Sequence, residues 1–295
     1  MRIEFSAFVA ATLAERQNAF FLTGDLGFMA FEQIQDAFPD RFINVGVCEQ
    51  QMVSFAAGLA SEGLLPFCYS IAPFAVFRPA EQIRLDVCLH NLNVKIIGNG
   101  GGYGYGIMGA THHAIEDIAV LSSFQKMKCF IPCCNADVAG VAGAMMDYEG
   151  PSYLRLGFGK TEDEPGLLPY QPIRQLRQGD EMTVIALGPI WLNCLNDVSA
   201  DIFVVSEMPV PELSDALIAS ITKTRKVLVV EEHVERGGLG EHLAKKILAT
   251  SIPCTFDHAF AKGYPNQRYG SQAYHQRVNE LDPPAIAALM RNRCR

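Results

Sequence analysis

The chain has 295 residues, 49 % of them apolar and 19 % charged, with a formal net charge of −8 at neutral pH. That length points to about two domains, and the balance excludes a disordered chain. An acidic chain without a basic run argues against nucleic acid or an anionic membrane as a partner, and no apolar run reaches the ~18 residues that span a bilayer.

In chain order, Met1-Arg2-Ile3-Glu4-Phe5 lacks the long apolar core of a secretory leader, so a cytoplasmic location is expected. Short apolar runs then alternate with helical stretches, the pattern of α/β domains built on parallel sheets. The pattern predicts strands at residues 19–23, 42–45, 65–69, 94–98, 128–131 and 152–156. Helices are predicted at 6–17, 49–62, 79–91 and 137–148, the last with Asn135 as a candidate N-cap. Residues 1–160 therefore read as one domain and 161–178, rich in proline, glycine and mixed charge, as a linker. A smaller domain over 179–295 follows, with strands near 183–187, 202–206, 227–231 and 254–257 and helices over 211–224 and after Gly240. The nine cysteines are scattered and form no CxxC pair, which speaks for reduced, mostly buried thiols rather than zinc or disulfides.

One segment concentrates the chemistry. In Phe42-Ile43-Asn44-Val45-Gly46-Val47-Cys48-Glu49 a strand passes through a glycine turn and delivers a carboxylate to the first turn of an almost uncharged helix. A dry interior favours the neutral acid and a helix N-terminus favours the charged one. A carboxyl between those influences is a candidate proton donor or acceptor, and equally a first-turn acid that stabilises the helix dipole.

Gly104-Tyr105-Gly106-Ile107-Met108-Gly109 matches GxGxxG in letters, but it lies inside a longer glycine loop rather than between a strand and a helix. A dinucleotide site is therefore not expected there, and the glycines read as room for close backbone approach. Thr111-His112-His113 follows; adjacent histidines point apart, so one of them is expected to face a cleft. Glycines also separate a strand from a helix in Glu231-Glu232-His233-Val234-Glu235-Arg236-Gly237-Gly238-Leu239-Gly240, where the local acids disfavour a bound phosphate. No GxxxxGK[ST], HExxH or GxSxG is present.

Taken together and in this order, several segments resemble the C-terminal half of a transketolase over nearly the full length. They are Thr23-Gly24-Asp25-Leu26, the stretch from Phe38 to Met52, Gly109-Ala110-Thr111-His112-His113, Pro151-Ser152-Tyr153-Leu154-Arg155-Leu156 and the glycine-bearing segment after Val229. The resemblance implies a thiamine diphosphate pyrimidine-binding domain followed by the smaller C-terminal domain. It gives Glu49 the role of the acid that hydrogen-bonds and protonates the aminopyrimidine. It sets Asp25 beside the cofactor and gives His112 the donor hydroxyls.

Departures from the family pattern are as informative. The domain that holds diphosphate and Mg is absent, which implies an N-terminal-type partner subunit carrying both and assembly into a heterotetramer. Alanine falls at the main stacking position, so Phe74 or Phe77 has to take over, shifted by Pro73. Positions where sugar-phosphate enzymes carry a substrate histidine and aspartate read Gly100 and Met108. Phe158 stands where an arginine commonly grips a sugar phosphate, and a phenyl ring cannot replace a bidentate cation. The expected activity is transfer of a two-carbon ketol or related acyl unit from a ketose-like donor to an aldehyde. The alternatives are the beta subunit of a 2-oxo acid dehydrogenase or a non-catalytic scaffold of the same fold.

Overall fold

Seven consecutive residues, Leu65–Ile71, are buried without alternation, which a strand tolerates only inside a sheet covered on both faces. The computed structural model describes residues 1–159, 169–196 and 199–293. In it this run is β3 of a sheet that also holds β1 (Ala19–Thr23), β2 (Phe42–Asn44), β4 (Lys95–Asn99), β5 (Lys128–Phe130) and β6 (Ser152–Leu156). The second sheet contains β7 (Ile173–Arg177), β8 (Met182–Leu187), β9 (Ala200–Val205), β11 (Lys226–Val230) and β12 (Thr255–Ala259). Between β9 and β11 a two-residue strand, β10 (Glu207–Met208), leaves its own unit and closes the far edge of the first sheet. The strand orders are β10-β5-β6-β4-β3-β1-β2 and β12-β11-β8-β9-β7. All neighbours run parallel except β10 against β5 and β7 against β9.

Helices cover both faces of the first sheet. On α1 (Arg2–Glu15), Phe5, Val9, Thr12 and Leu13 recur at helical spacing and are buried. Phe5, Val9 and Leu13 pack in one cluster with Val141 and Met145 of α7 (Val138–Asp147), each apolar side chain contributing roughly 1.5–3 kcal/mol. The short α2 (Glu32–Ala37) adds Ile34 to the same layer. The opposite face carries α3 (Glu49–Ser61), α4 (Ala72–Val76), α5 (Ala80–Gln82) with its π-helical continuation Ile83–Leu89, and α6 (Asp117–Ser122). The second unit carries α8 (Asp215–Thr224), α9 (Leu239–Thr250), α10 (Gln272–Val278) and α11 (Pro283–Arg293).

The two units share one apolar layer, from Leu22 and Ile96 through Ile131 and Met208 to Phe203 and Val229. Buried polar groups pin it. Arg174 of β7 pairs with Asp137 at 2.6 Å, and Arg155 of β6 binds Asp117 at 2.9 Å and the Glu232 carbonyl at 3.1 Å. No described helix is long and apolar enough to cross a membrane.

Two expectations change. Asn135 does not cap α7: Asp137 holds the N-cap position, and the Asn135 side chain accepts a hydrogen bond from the Met1 amine at 2.8 Å. Of the expected linker 161–178, residues 161–168 lie outside the described residues, and 173–177 already form β7 in the second sheet.

Candidate active site

Register brings the chemistry to one edge. Thr23 is level with Asn44 and with Tyr69, Ile71 with Asn99, and Asn99 with Leu156, so the carboxyl ends of β2, β1, β3, β4 and β6 finish side by side. The chain runs from β1 outward to β2 and then crosses back over β1 to β3, which makes the β1/β3 end a topological switch point. Glu49, first residue of α3, lies there, 2 % exposed. In the first turn of α3 its carboxyl is held by tertiary partners: one oxygen accepts from the Ser70 hydroxyl at 3.1 Å, and the other from Arg78 Nη1 at 2.8 Å.

Arg78 also lies over the Phe74 ring, its guanidinium carbon 3.8 Å from the centroid. His112 meets the same phenyl in a T-shaped contact, with centroids 5.0 Å apart, and is 6.0 Å from the Tyr105 ring. Tyr105 accepts from the Asn99 amide at 2.8 Å. Burial pushes the Tyr105 phenol up, while the Asn99 hydrogen bond and the nearby Arg2 charge work against it. A Cβ at Gly100 would come within 2.2 Å of the Tyr105 ring, so that ring excludes any side chain at 100. Beyond Tyr105 a cavity of about 360 Å³ opens between Arg2, Asn99, Asn135 and Phe158.

Asp25 is exposed at the end of β1 in a left-handed conformation (φ 57°). Asn44 holds it there, donating to its carboxylate and accepting from its amide, both at 3.0 Å, and also accepts from Gly46 N. Phe77 follows α4 and is 38 % exposed, one turn from the half-buried Phe74. Of the two histidines, His112 lies at the cleft, whereas His113 is buried in the layer between the units. Its Nε2 donates to the Gly106 carbonyl at 2.8 Å, leaving Nδ1 to accept from the Tyr264 hydroxyl at 3.1 Å, and burial lowers its pKa. The GxGxxG segment folds into tight turns between β4 and His112, not a strand–turn–helix.

The glycine turn before α9 carries its own anion: the buried Glu231 carboxylate accepts from Leu239 N at 2.8 Å, Gly240 N at 2.9 Å and His258 Nε2 at 2.7 Å. Ser70, Arg78, Tyr105, Asn99 and Arg2 were not singled out from the sequence. The Arg78–Glu49 contact spans 29 residues, and no local pattern announces it.

A flat heteroaromatic ring with a polar edge fits this constellation. It needs an aromatic face, which Phe74 has, and a buried carboxyl for its edge, which Glu49 has. Among the described residues no group of three or more His, Cys, Asp or Glu side chains could hold a metal ion.

Comparison with known proteins agrees with this layout. The family model of the transketolase pyrimidine-binding domain matches residues 1–161, and that of the transketolase C-terminal domain matches 172–258. An apulose-4-phosphate transketolase subunit of Actinobacillus succinogenes is 34 % identical over 230 residues, covering 74 % of this chain and 73 % of its own length. A 6-deoxy-6-sulfo-D-fructose transketolase subunit from a Clostridium species is 29 % identical over 218 residues, 70 % of this chain and 67 % of that one. Among solved structures, a split-gene transketolase described as an inactive beta4 tetramer superposes with a TM-score of 0.86 at 26 % identity, over 99 % of this chain and 97 % of that one.

Proposed function

The chain belongs to the transketolase family, and from that premise we propose that it is the C-terminal subunit of a split, thiamine diphosphate-dependent transketolase. Its reaction would move a two-carbon ketol or related acyl unit from a ketose-like donor to an aldehyde. The observation that carries this reading is the buried Glu49 at the switch point, set beside the Phe74 ring and within one aromatic contact of His112. When bound, thiamine diphosphate would supply the nucleophilic carbon that holds the transferred unit.

In this reading Glu49 would hold the pyrimidine edge and be the source of its proton, while Ser70 keeps the second carboxyl oxygen oriented. Phe74 gives the ring its apolar face, Phe77 stands at the rim, and Asp25 borders the site, fixed by Asn44. His112 orients donor oxygens; Tyr105, fixed by Asn99, provides a hydroxyl where Gly100 has none.

Phe158 cannot hold an anion, but Arg2 lines the same cavity, its charge beside the Tyr69 and Tyr105 phenols. Two relatives are named for acceptors or donors that carry phosphate or sulfonate. We therefore assign the substrate's anionic terminus to Arg2.

Mg and the diphosphate would be held by an N-terminal-type partner subunit, and the working unit would be a cytoplasmic heterotetramer. Residues 1–160 form the pyrimidine-binding domain in this scheme. The C-terminal domain starts with β7.

The test is reconstitution. The chain alone should be inactive with thiamine diphosphate, Mg, ketose and aldehyde, and active once the partner subunit is added. Glu49→Ala in the assembled enzyme should abolish turnover. Full activity of that variant, or oxidative decarboxylation in place of carbon-chain transfer, would refute the assignment.

A further inference from the structure

We propose that Arg78 occupies the place of the cofactor's pyrimidine ring while the site is open, so that the cofactor binds by exchange with this guanidinium; the inference rests on the reading of Glu49 and Phe74 given above. Both groups assigned to the ring are already engaged, and by the same side chain. Arg78 Nη1 donates to Glu49 Oε2 at 2.8 Å, and its guanidinium carbon lies 3.8 Å from the centre of the Phe74 ring.

The chemical match is close. A guanidinium is planar, presents N–H donors along its edge to a carboxylate, and offers a flat face to an aromatic ring. An aminopyrimidine whose ring nitrogen has taken up the proton from Glu49 has the same three features. Two flat groups cannot share one phenyl face and one carboxyl oxygen, so occupancy by one excludes the other.

Burial shows which partner moves. The Glu49 side chain is 2 % exposed and fixed on α3, whereas the Arg78 side chain is 42 % exposed and reaches inward from just past the end of α4. Arg78 can withdraw toward solvent without opening the core. Glu49 cannot follow it, and a buried carboxylate stripped of its counter-ion is unfavourable. Withdrawal of Arg78 is therefore coupled to arrival of the ring. While the site is empty, the same contact keeps the acid paired.

Opposite signs follow for stability and for affinity. Arg78→Gln removes the counter-ion and should lower the melting temperature of the isolated chain. In the chain assembled with its partner subunit it should tighten binding of thiamine diphosphate, read by calorimetric titration rather than turnover. The expected gain is about tenfold, because the competent state no longer has to be released from a competitor. Arg78→Lys keeps the charge for folding but lacks the flat face and the fork, and it should also bind more tightly than wild type.

Unchanged or weaker binding by both variants would overturn the proposal and make Arg78 a bystander or a permanent ligand. So would a structure of the loaded complex with Arg78 still 2.8 Å from Glu49 and over Phe74. Failure of the wild-type complex to bind thiamine diphosphate at all would instead overturn the functional reading, and the exchange with it.

Discussion

Glu49 lies buried at the switch point and Arg2 lines the cavity beyond Tyr105, so substituting each should alter a different kinetic constant. Glu49→Gln keeps the shape of the side chain and a bond to Ser70 but has no carboxyl proton to give. Its kcat should fall by about 10²–10⁴-fold, the usual range for a positioned acid. Arg78, half exposed, can turn to water, so the melting curve should move little; initial rates of the assembled enzyme and circular-dichroism melts check both. Arg2→Ala should raise KM for an acceptor ending in phosphate or sulfonate about tenfold, the worth of one charge-assisted hydrogen bond, with KM for an uncharged aldehyde unchanged. Equal losses for both acceptors would remove Arg2 from the substrate. Glu49 was readable because its strand, turn and apolar helix are consecutive. Arg78 and Arg2 were not, because α4 and α1 bring them to the cleft from separate parts of the chain. The choice between Phe74 and Phe77 turns on helical phase at a five-residue helix, which composition does not reveal.

Two elements are held by side chains that replace missing backbone partners. Glu231 accepts from the first amides of α9 and from His258, so Glu231→Ala leaves buried donors unmet and should cost about 2–3 kcal/mol in denaturant unfolding. Lys95 lies fully buried in β4 and donates to the Met145 and Tyr148 carbonyls at the end of α7, at 2.8 and 2.7 Å. Burial lowers its pKa to about 7, opposed by the charge of Glu149. Lys95→Met should destabilise by about 2 kcal/mol, since two carbonyls lose their donor, less what the ammonium no longer loses on burial. Regular elements with a full apolar period were legible: β1 and β6 fall on their predicted residues, and α3 starts at Glu49 as expected. Those missed were short or set by distant pairing, as with β7 and β10. The starts of α10 and α11 do carry local signals, Ser271, which accepts from Tyr274 N, and Asp282-Pro283, but no apolar period long enough to draw notice follows either one.

Across the whole molecule, the layer between the units holds His113, His233 and His275, each kept below the ordinary histidine value mainly by burial. The unfolded chain takes up these protons near pH 6.5, and the folded chain only at lower pH. Stability is therefore full above 6.5 and falls as the solution becomes more acid, by up to about 1.4 kcal/mol per pH unit for each group. Unfolding by urea at pH 7.5, 6.5 and 5.5 measures the slope. His275→Phe should make it shallower, because one of the three titrating groups is gone, and the fold loses little because the buried Nε2 of His275 has no hydrogen-bond partner. The two-residue β10 sets a condition on dissection. By pairing with β5 it shields the last open row of amides and carbonyls on that flank of the first sheet. A fragment ending near residue 160 would bare that flank, and it should polymerise strand to strand, visible as light scattering, where the full chain stays dispersed.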